Sequence, residues 1–431
     1  MRKLKDRLHD LDRKDIREKW QKLEGDDGLS TREKLDKLVR QNLKRQEKAP
    51  VAPAVPSREA SATAEPFLVK DFTYSLDGRY GKVRLGNWLS LQPGALEVIA
   101  GSGGFAGVDP RRAVFFDSET TGLAGGTGTV PFMLGFGFFS DLAFQVRIFV
   151  LLSLDREGEF LEAVARFLEE SDFSAVVTYN GKAFDFPLLE TRYILQRRRF
   201  PLKDLPHLDF LFPARTIWRN TFDSRKLGYL GEMLLGLSRE DDIDGSDIPA
   251  LYFSFLRSQA FSLIEPVVEH NAMDLVGLAA VVMLGVLYLD DYSLTSDAGE
   301  IFGLGRLCER AGLLEKAGEF YKVAREVSSR SEVGTLAARR LSALMKKKKL
   351  YGEALELWRQ LADASDPQAQ REISMHYEHR ERDYAVALTY VEKALSGGGL
   401  TPARQQEMEK RLKRLRRKIK KLEEAEPANG K

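Results

Sequence analysis

The chain has 431 residues, 43% of them apolar and 30% charged, and a net charge of +2, so it reads as globular and carries no polybasic signature as a whole. A single cysteine, Cys308, excludes an intramolecular disulfide framework and a cysteine-based zinc site and suits a reducing, cytoplasmic location. The length exceeds one ordinary core and implies two or three domains.

The opening stretch MRKLKDRLHDLDRKDIREKW is charged throughout and lacks the apolar centre of a signal peptide. Residues 1–48 read as one or two helices holding 16 Lys or Arg against 11 Asp or Glu. Their incomplete apolar stripe (Leu4, Leu8, Leu11, Ile16) suits docking on a partner or on nucleic acid, the alternative being a solvated arm. The Ala, Pro and Ser of 49–66 read as a linker. Between 67 and 107, short strand-like pieces broken by glycines form a β-rich lead-in that packs against the next domain and is assigned no chemistry.

The main domain is expected over 108–290. It opens on AVFFDSETTGL (113–123), where four apolar or small residues run into two carboxylates. The run fits a strand buried on both faces, and its period of two sends Asp117 and Glu119 to the same side. Like charges held so close repel unless a cation sits between them; a solvated turn is the plainer alternative. The glycines of GGTGT (125–129) lack the phosphate-loop pattern and read as turn residues, with phosphate contact as the alternative. Two further β-rich stretches, a helix with apolar residues at 160, 161, 164, 167 and 168, and a strand ending in Tyr179-Asn180-Gly181 complete a mixed α/β sheet flanked by helices. Asp185 follows, between Phe184 and Phe186, either as a functional acid or as a helix N-cap. His270 and Asp274, four residues apart, share one helical face. No apolar run reaches membrane-spanning length; VGLAAVVMLGVLYL (276–289) comes nearest, and no membrane partner is expected.

Taken together, these residues resemble the DEDD superfamily of ribonuclease H-like 3'-to-5' exonucleases. Asp117-Ser118-Glu119 is similar to the first motif of that family, Asn180 with Phe184-Asp185 to the second, and His270 with Asp274 to the third. The third departs from the pattern: the histidine subclass resembles H-x4-D and the tyrosine subclass Y-x3-D, whereas this chain has H-x3-D. Within the superfamily, TYNGKAFDFPLLETRY, HLDFLFPARTIWR and EHNAMDLVGLA resemble the YprB-like predicted exonucleases of bacteria.

The resemblance implies phosphodiester hydrolysis on two divalent cations, Mg²⁺ or Mn²⁺, about 3.5 to 4 Å apart. Asp117 would bridge them, Glu119 and Asp274 would bind one and Asp185 the other, with His270 as general base. The implied substrate is DNA or RNA with a single-stranded 3' end. Asn180 would approach the terminal nucleotide; Lys182, Arg192, Arg197, Arg198 and Arg199 suit phosphate contact, against a solvated helix face. Tyr179, Phe184 and Trp218 suit base stacking, but core packing is the favoured use of the first two. His207 and Asp209 read as structural, with substrate positioning the alternative.

From 296 to 400 the periodicity is helical and repeats. Leu304, Gly305, Gly312, Ala317, Tyr321 and Ala324 stand at tetratricopeptide-like offsets, and Ala354 and Ala387 repeat the second-helix position at spacings of 37 and 33 residues. Such repeats either dock a protein partner or brace the nuclease. Residues 401–431 supply a last helix and tail, with nine Lys or Arg between 410 and 421, a candidate nucleic-acid contact or a solubilising face. The competing function is a catalytically weak or inactive nucleic-acid-binding scaffold that recruits partners through the repeats.

Overall fold

The computed structural model describes residues 65–101, 103–122, 128–237 and 243–425. The charged segment 1–48, nearly all of the linker 49–66 and most of the GGTGT turn lie outside the described residues.

Six strands form one mixed sheet in the order β1-β6-β5-β4-β7-β8. They are β1 (Phe67–Ser75), β4 (Ala113–Thr120), β5 (Pro131–Phe139), β6 (Ala143–Leu151), β7 (Ala175–Thr178) and β8 (His207–Asp209), while β2 (Arg79–Tyr80) and β3 (Val83–Arg84) pair separately. β1, β6, β5 and β4 are antiparallel neighbours, and β4, β7 and β8 run parallel. The mixed sheet agrees with the sequence, but the boundary expected at 107 cuts through it, since β1 pairs with β6 along its whole length. The rest of that lead-in is equally built in. Trp88 is fully buried, stacks on Phe139 with ring centroids 5.4 Å apart and donates its indole N–H to the Pro110 carbonyl at 2.8 Å.

β5 serves two layers because phenylalanine and glycine alternate along it. Phe136 and Phe138 pack on Phe167 of helix α1 (Glu157–Glu170), with centroids 5.6 and 6.0 Å apart. On the opposite face Gly135 and Gly137 leave room for other side chains. Further helices are α2 (Asp185–Leu195), α3 (Leu211–Ile217), α4 (Leu227–Leu235), α5 (Ile248–Ser258) and α6 (Glu265–Asp290). α6 lies on the glycine face of the sheet, against β4, β5 and β6. At 26 residues it is long and apolar enough to cross a membrane, unlike the shorter run counted from the sequence, because two flanking turns extend it; 83% of its most apolar window is buried inside the protein.

The C-terminal region is wholly helical: α7 (Ala298–Arg310), α8 (Leu314–Val327), α9 (Glu332–Lys347), α10 (Tyr351–Asp363), α11 (Pro367–His376), α12 (Tyr384–Ser396) and α13 (Pro402–Ala425) stack in chain order. Ala317, Tyr321, Ala324, Ala354 and Ala387 are fully buried between helices. A Cβ on Gly305 would lie 2.7 Å from the Tyr321 ring, so glycine lets α7 and α8 close. Cys308 packs in the same layer, and burial pushes its thiol up to about 11. At the junction with the sheet domain, Trp218 donates its indole N–H to Glu300 Oε1 at 3.0 Å and is fully buried, so it is a core residue and not a base-stacking platform.

Candidate active site

β4 carries its acids where the sheet changes partners. Phe115, Asp117 and Glu119 share the face covered by α6, whereas Phe116 and Ser118 face α2. The pairing register slips between Glu119 and Thr120, an irregularity of the kind that re-aims side chains at strand ends. Asp117 lies opposite Gly135 in the register with β5. Over that glycine sits Asn271 of α6, fully buried, whose amide Nδ2 donates to Asp117 Oδ2 at 2.7 Å. One helical step away, His270 Nε2 lies 3.3 Å from Asp274 Oδ2, with both side chains largely buried.

Asp185 comes in from the other face. It is the first residue of α2 and not its N-cap, which is Phe184, and Ser118 Oγ donates to its carboxylate. Burial raises Asp185 to about 6, against the hydrogen bonds from Ser118 and from its own backbone N–H, and the nearby Asp209 adds to the rise. Glu119 is pushed up to about 7, chiefly by burial, with His270 opposing and Asp274 and Asp185 reinforcing. Asp185, Asp274 and His270 are thus within electrostatic reach of Glu119, while Asp117 stands two residues from it on the same face of β4.

Four carboxylates are a hard-oxygen donor set suited to Mg²⁺ or Mn²⁺. Burial disfavours the ionised forms of Glu119 and Asp185, and a cation bound beside them would favour those forms again. Among the described residues, however, no three Asp, Glu, His or Cys side chains converge closely enough to hold an ion as they stand. The acids are gathered but not closed into a cage.

The loop after β7 is tied down by a buried carboxylate. Asp209, 3% exposed, accepts the backbone N–H of Asn180 at 2.7 Å, of Lys182 at 3.1 Å and of Leu211 at 3.2 Å. Asn180 has φ 71°, a left-handed conformation that asparagine tolerates better than most residues, and this backbone demand accounts for its identity. Gly181 is pressed against Thr178, whose Oγ1 would stand 2.6 Å from a Cβ, and Thr178 in turn meets His207 Nε2 at 2.8 Å. His207 and Asp209 thus both hold the loop and strand end in place.

The basic residues separate into three groups. Lys182 is exposed beside the acids' loop. Arg192 is not available to a substrate: it is 9% exposed and its Nε donates to Glu157 Oε1 at 2.6 Å, because its helix position turns inward toward α1. Of the exposed run, Arg198 pairs with Glu162 at 3.1 Å and Arg199 with Asp204, so only Arg197 among the three has no acid partner among the described residues. Phe184 reverses the expectation of core packing. It is 56% exposed, immediately before Asp185. The Tyr179 hydroxyl is spent on the Arg225 carbonyl. Sequence reasoning missed Asn271 and Gly135, whose pairing is visible only once α6 lies on β5.

Residues 114–284 match the RNase_H_2 family model, described as RNase_H superfamily. Over 351 residues the chain is 29% identical to the uncharacterized protein YprB of Bacillus subtilis (strain 168), spanning 79% of this chain and 83% of that protein. The middle of the chain is thus similar to the RNase_H superfamily, and most of its length to YprB. Among solved structures, the family B DNA polymerase from the hyperthermophilic archaeon Pyrobaculum calidifontis aligns at 15% identity and a TM-score of 0.33, covering 51% of this chain and 29% of the polymerase. BtubC (BKLC) from P. vanneervenii aligns at 20% identity and a TM-score of 0.24, covering 42% of this chain and 86% of that one. At these scores neither bears on function, and this chain spans under a third of the polymerase.

Proposed function

We propose that this protein is a cytoplasmic metal-dependent nuclease, a 3'-to-5' exonuclease that hydrolyses phosphodiester bonds of DNA or RNA. The observation that supports the reading is the electrostatic coupling at the end of β4: Glu119 feels His270, Asp274 and Asp185 and is raised to about 7, chiefly by burial, with Asp117 two residues away on the same strand face, in a stretch similar to the RNase_H superfamily. Two divalent cations bound there would polarise the phosphate and lower the cost of forming hydroxide.

The chain's own groups have separable tasks in this reading. Asn271 fixes one carboxylate oxygen of Asp117 and so sets which oxygen faces the substrate. Ser118 does the same for Asp185. His270 takes the proton of the attacking water, and Asp274, 3.3 Å from its Nε2, orients the ring and favours the imidazolium that results. Phe184, exposed beside Asp185, offers a stacking face to the terminal base, and Lys182 and Arg197 offer charge to the backbone. The stacked C-terminal helices, read as tetratricopeptide-like repeats, would present a surface to a protein partner.

The test is shortening of an end-labelled single strand, DNA and RNA in parallel, with Mn²⁺ or Mg²⁺. Wild type should degrade it from the 3' end, Asp117→Ala should not, and His270→Ala should retain at most a hundredth of the rate. The scaffold reading draws on one observation, the absence of a closed metal cage among the described residues. Binding of nucleic acid without cleavage by wild type under any metal would establish it instead.

A further inference from the structure

The acids do not exhaust the C-terminal edge of the parallel strands. Past β8 lies a cavity of about 160 Å³, lined from the sheet domain by Lys182, His207 and Phe212 and from the first helix of the C-terminal region by Leu307 and Arg310. Pockets that take drug-sized molecules start at roughly 300 Å³, so this one suits a small group. Its chemistry is cationic. Neither Lys182 nor Arg310 has an acid partner among the described residues; Arg310 donates to Thr216 Oγ1, and Arg306 adds a further positive charge nearby. Burial holds the His207 ring neutral, and the nearby charge of Lys182 adds to that. The one carboxylate in the lining, Asp209, is already occupied by three backbone N–H donors. Two cations from different parts of the chain thus face a small enclosure whose single carboxylate, Asp209, is turned to the backbone of the β7 loop.

The position is informative as well. β4, β7 and β8 are adjacent and parallel, and neighbouring strands lie about 4.8 Å apart, so the cavity sits on the order of 10 Å from the acids along the same edge. Ligands of open α/β sheets bind outside the carboxyl ends of such strands.

We propose that this cavity binds a phosphate group, the backbone phosphate of a nucleic-acid strand whose end lies at the acids, held between Lys182 and Arg310. The helical region then contributes directly to substrate binding. The strand assignment rests on the nuclease reading; the anion chemistry of the cavity does not.

The experiment uses the full chain in EDTA, so that nothing is cleaved, with inorganic phosphate and a short single-stranded oligonucleotide as separate probes. Phosphate should raise the melting temperature of wild type above that in chloride at equal ionic strength. Lys182→Ala, an exposed change that leaves the loop's backbone bonds in place, should diminish the effect, and Lys182→Ala with Arg310→Gln should remove it. Oligonucleotide affinity should weaken, and the slope of log affinity against log salt should fall by about 0.7 per cation lost. A phosphate effect that is absent, or equal in wild type and the double variant, overturns the site. A phosphate effect lost while oligonucleotide binding is unchanged overturns the strand assignment and gives the cavity to free phosphate. Should wild type neither cleave nor bind any nucleic acid, the nuclease reading fails and the phosphate arm still decides the cavity.

Discussion

Gly135 and Asn271 occupy space that only one of them can fill. A Cβ on Gly135 would collide with the Asn271 amide oxygen and lie 2.9 Å from Leu275 Cδ1, so the bare backbone of β5 is what lets α6 settle close enough for Asn271 to hold Asp117. Gly135→Ala should therefore act as a buried overpacking change, costing about 1–3 kcal/mol. Its effect should appear as a lower urea midpoint and, with it, loss of metal-dependent activity. An unchanged midpoint would mean that α6 has slack that its packing does not suggest.

The raised carboxylates predict a pH dependence whose sign is the reverse of ordinary acid unfolding. Glu119 and Asp185 titrate near 7 and 6 in the folded chain, against about 4 when unfolded. Folding then takes up protons between those values, so the stability that these two groups contribute in the absence of metal is fully present below about pH 4 and is lost as pH rises through about 7. Thermal melts in EDTA should show this decline, and Glu119→Gln should flatten it. Mn²⁺ should restore the melting temperature above pH 7 in wild type and much less in Asp117→Ala.

Arg192 should prove to matter for stability alone. Removing it leaves Glu157 buried without its cation, a loss of about 3–5 kcal/mol, whereas replacing both with methionine should recover most of that. Oligonucleotide affinity of the refolded single variant, measured below its melting temperature, should match wild type. A clear weakening would return Arg192 to the substrate surface.

The basic C-terminal helix divides into an inner and an outer set. Arg411, Arg414 and Lys418 converge on Glu378, whose side chain is fully buried. Burial alone would raise that carboxyl, but bonds from Arg414 and Lys418 and the charge of Arg411 hold it near 2. Its contribution is present above about pH 4 and lost as pH falls through about 2. Glu378→Gln should loosen α13 by about 3 kcal/mol, seen as faster amide exchange across 402–425. The outer set, Lys410, Lys413, Arg417 and Lys421, is exposed on one helical face. Changing those four to glutamine, and not deleting the helix, is the fair test of nucleic-acid contact there. A reduced salt slope supports contact, and an identical one removes it.

What the sequence disclosed and what it withheld divide by distance along the chain. β4 was legible because its four apolar residues and two acids are contiguous, and Asp185 because its aromatic neighbours are adjacent. The partners of Arg192 and Asp117 stand 35 and 154 residues away, and no local pattern announces them. β1 was read as a lead-in because its half-exposed alternation suits an edge strand anywhere, and only its register with β6 assigns it to this sheet. Phe184 and Trp218 exchanged roles for a related reason: an aromatic beside an acid looks like core in one dimension, and the helix cap at Phe184 turns it outward.

The burial of α6 has a consequence for how the protein is made. Strands β4, β5 and β6 are complete by Leu151, yet the helix that covers their glycine face ends at Asp290. At about 5–20 residues per second, that face waits on the order of ten seconds on the ribosome for its cover. α6 has the length and apolarity of a membrane span, and its place against β4, β5 and β6 is what buries that surface. Nascent chains that stop short of residue 290 should accordingly need chaperones that longer ones do not.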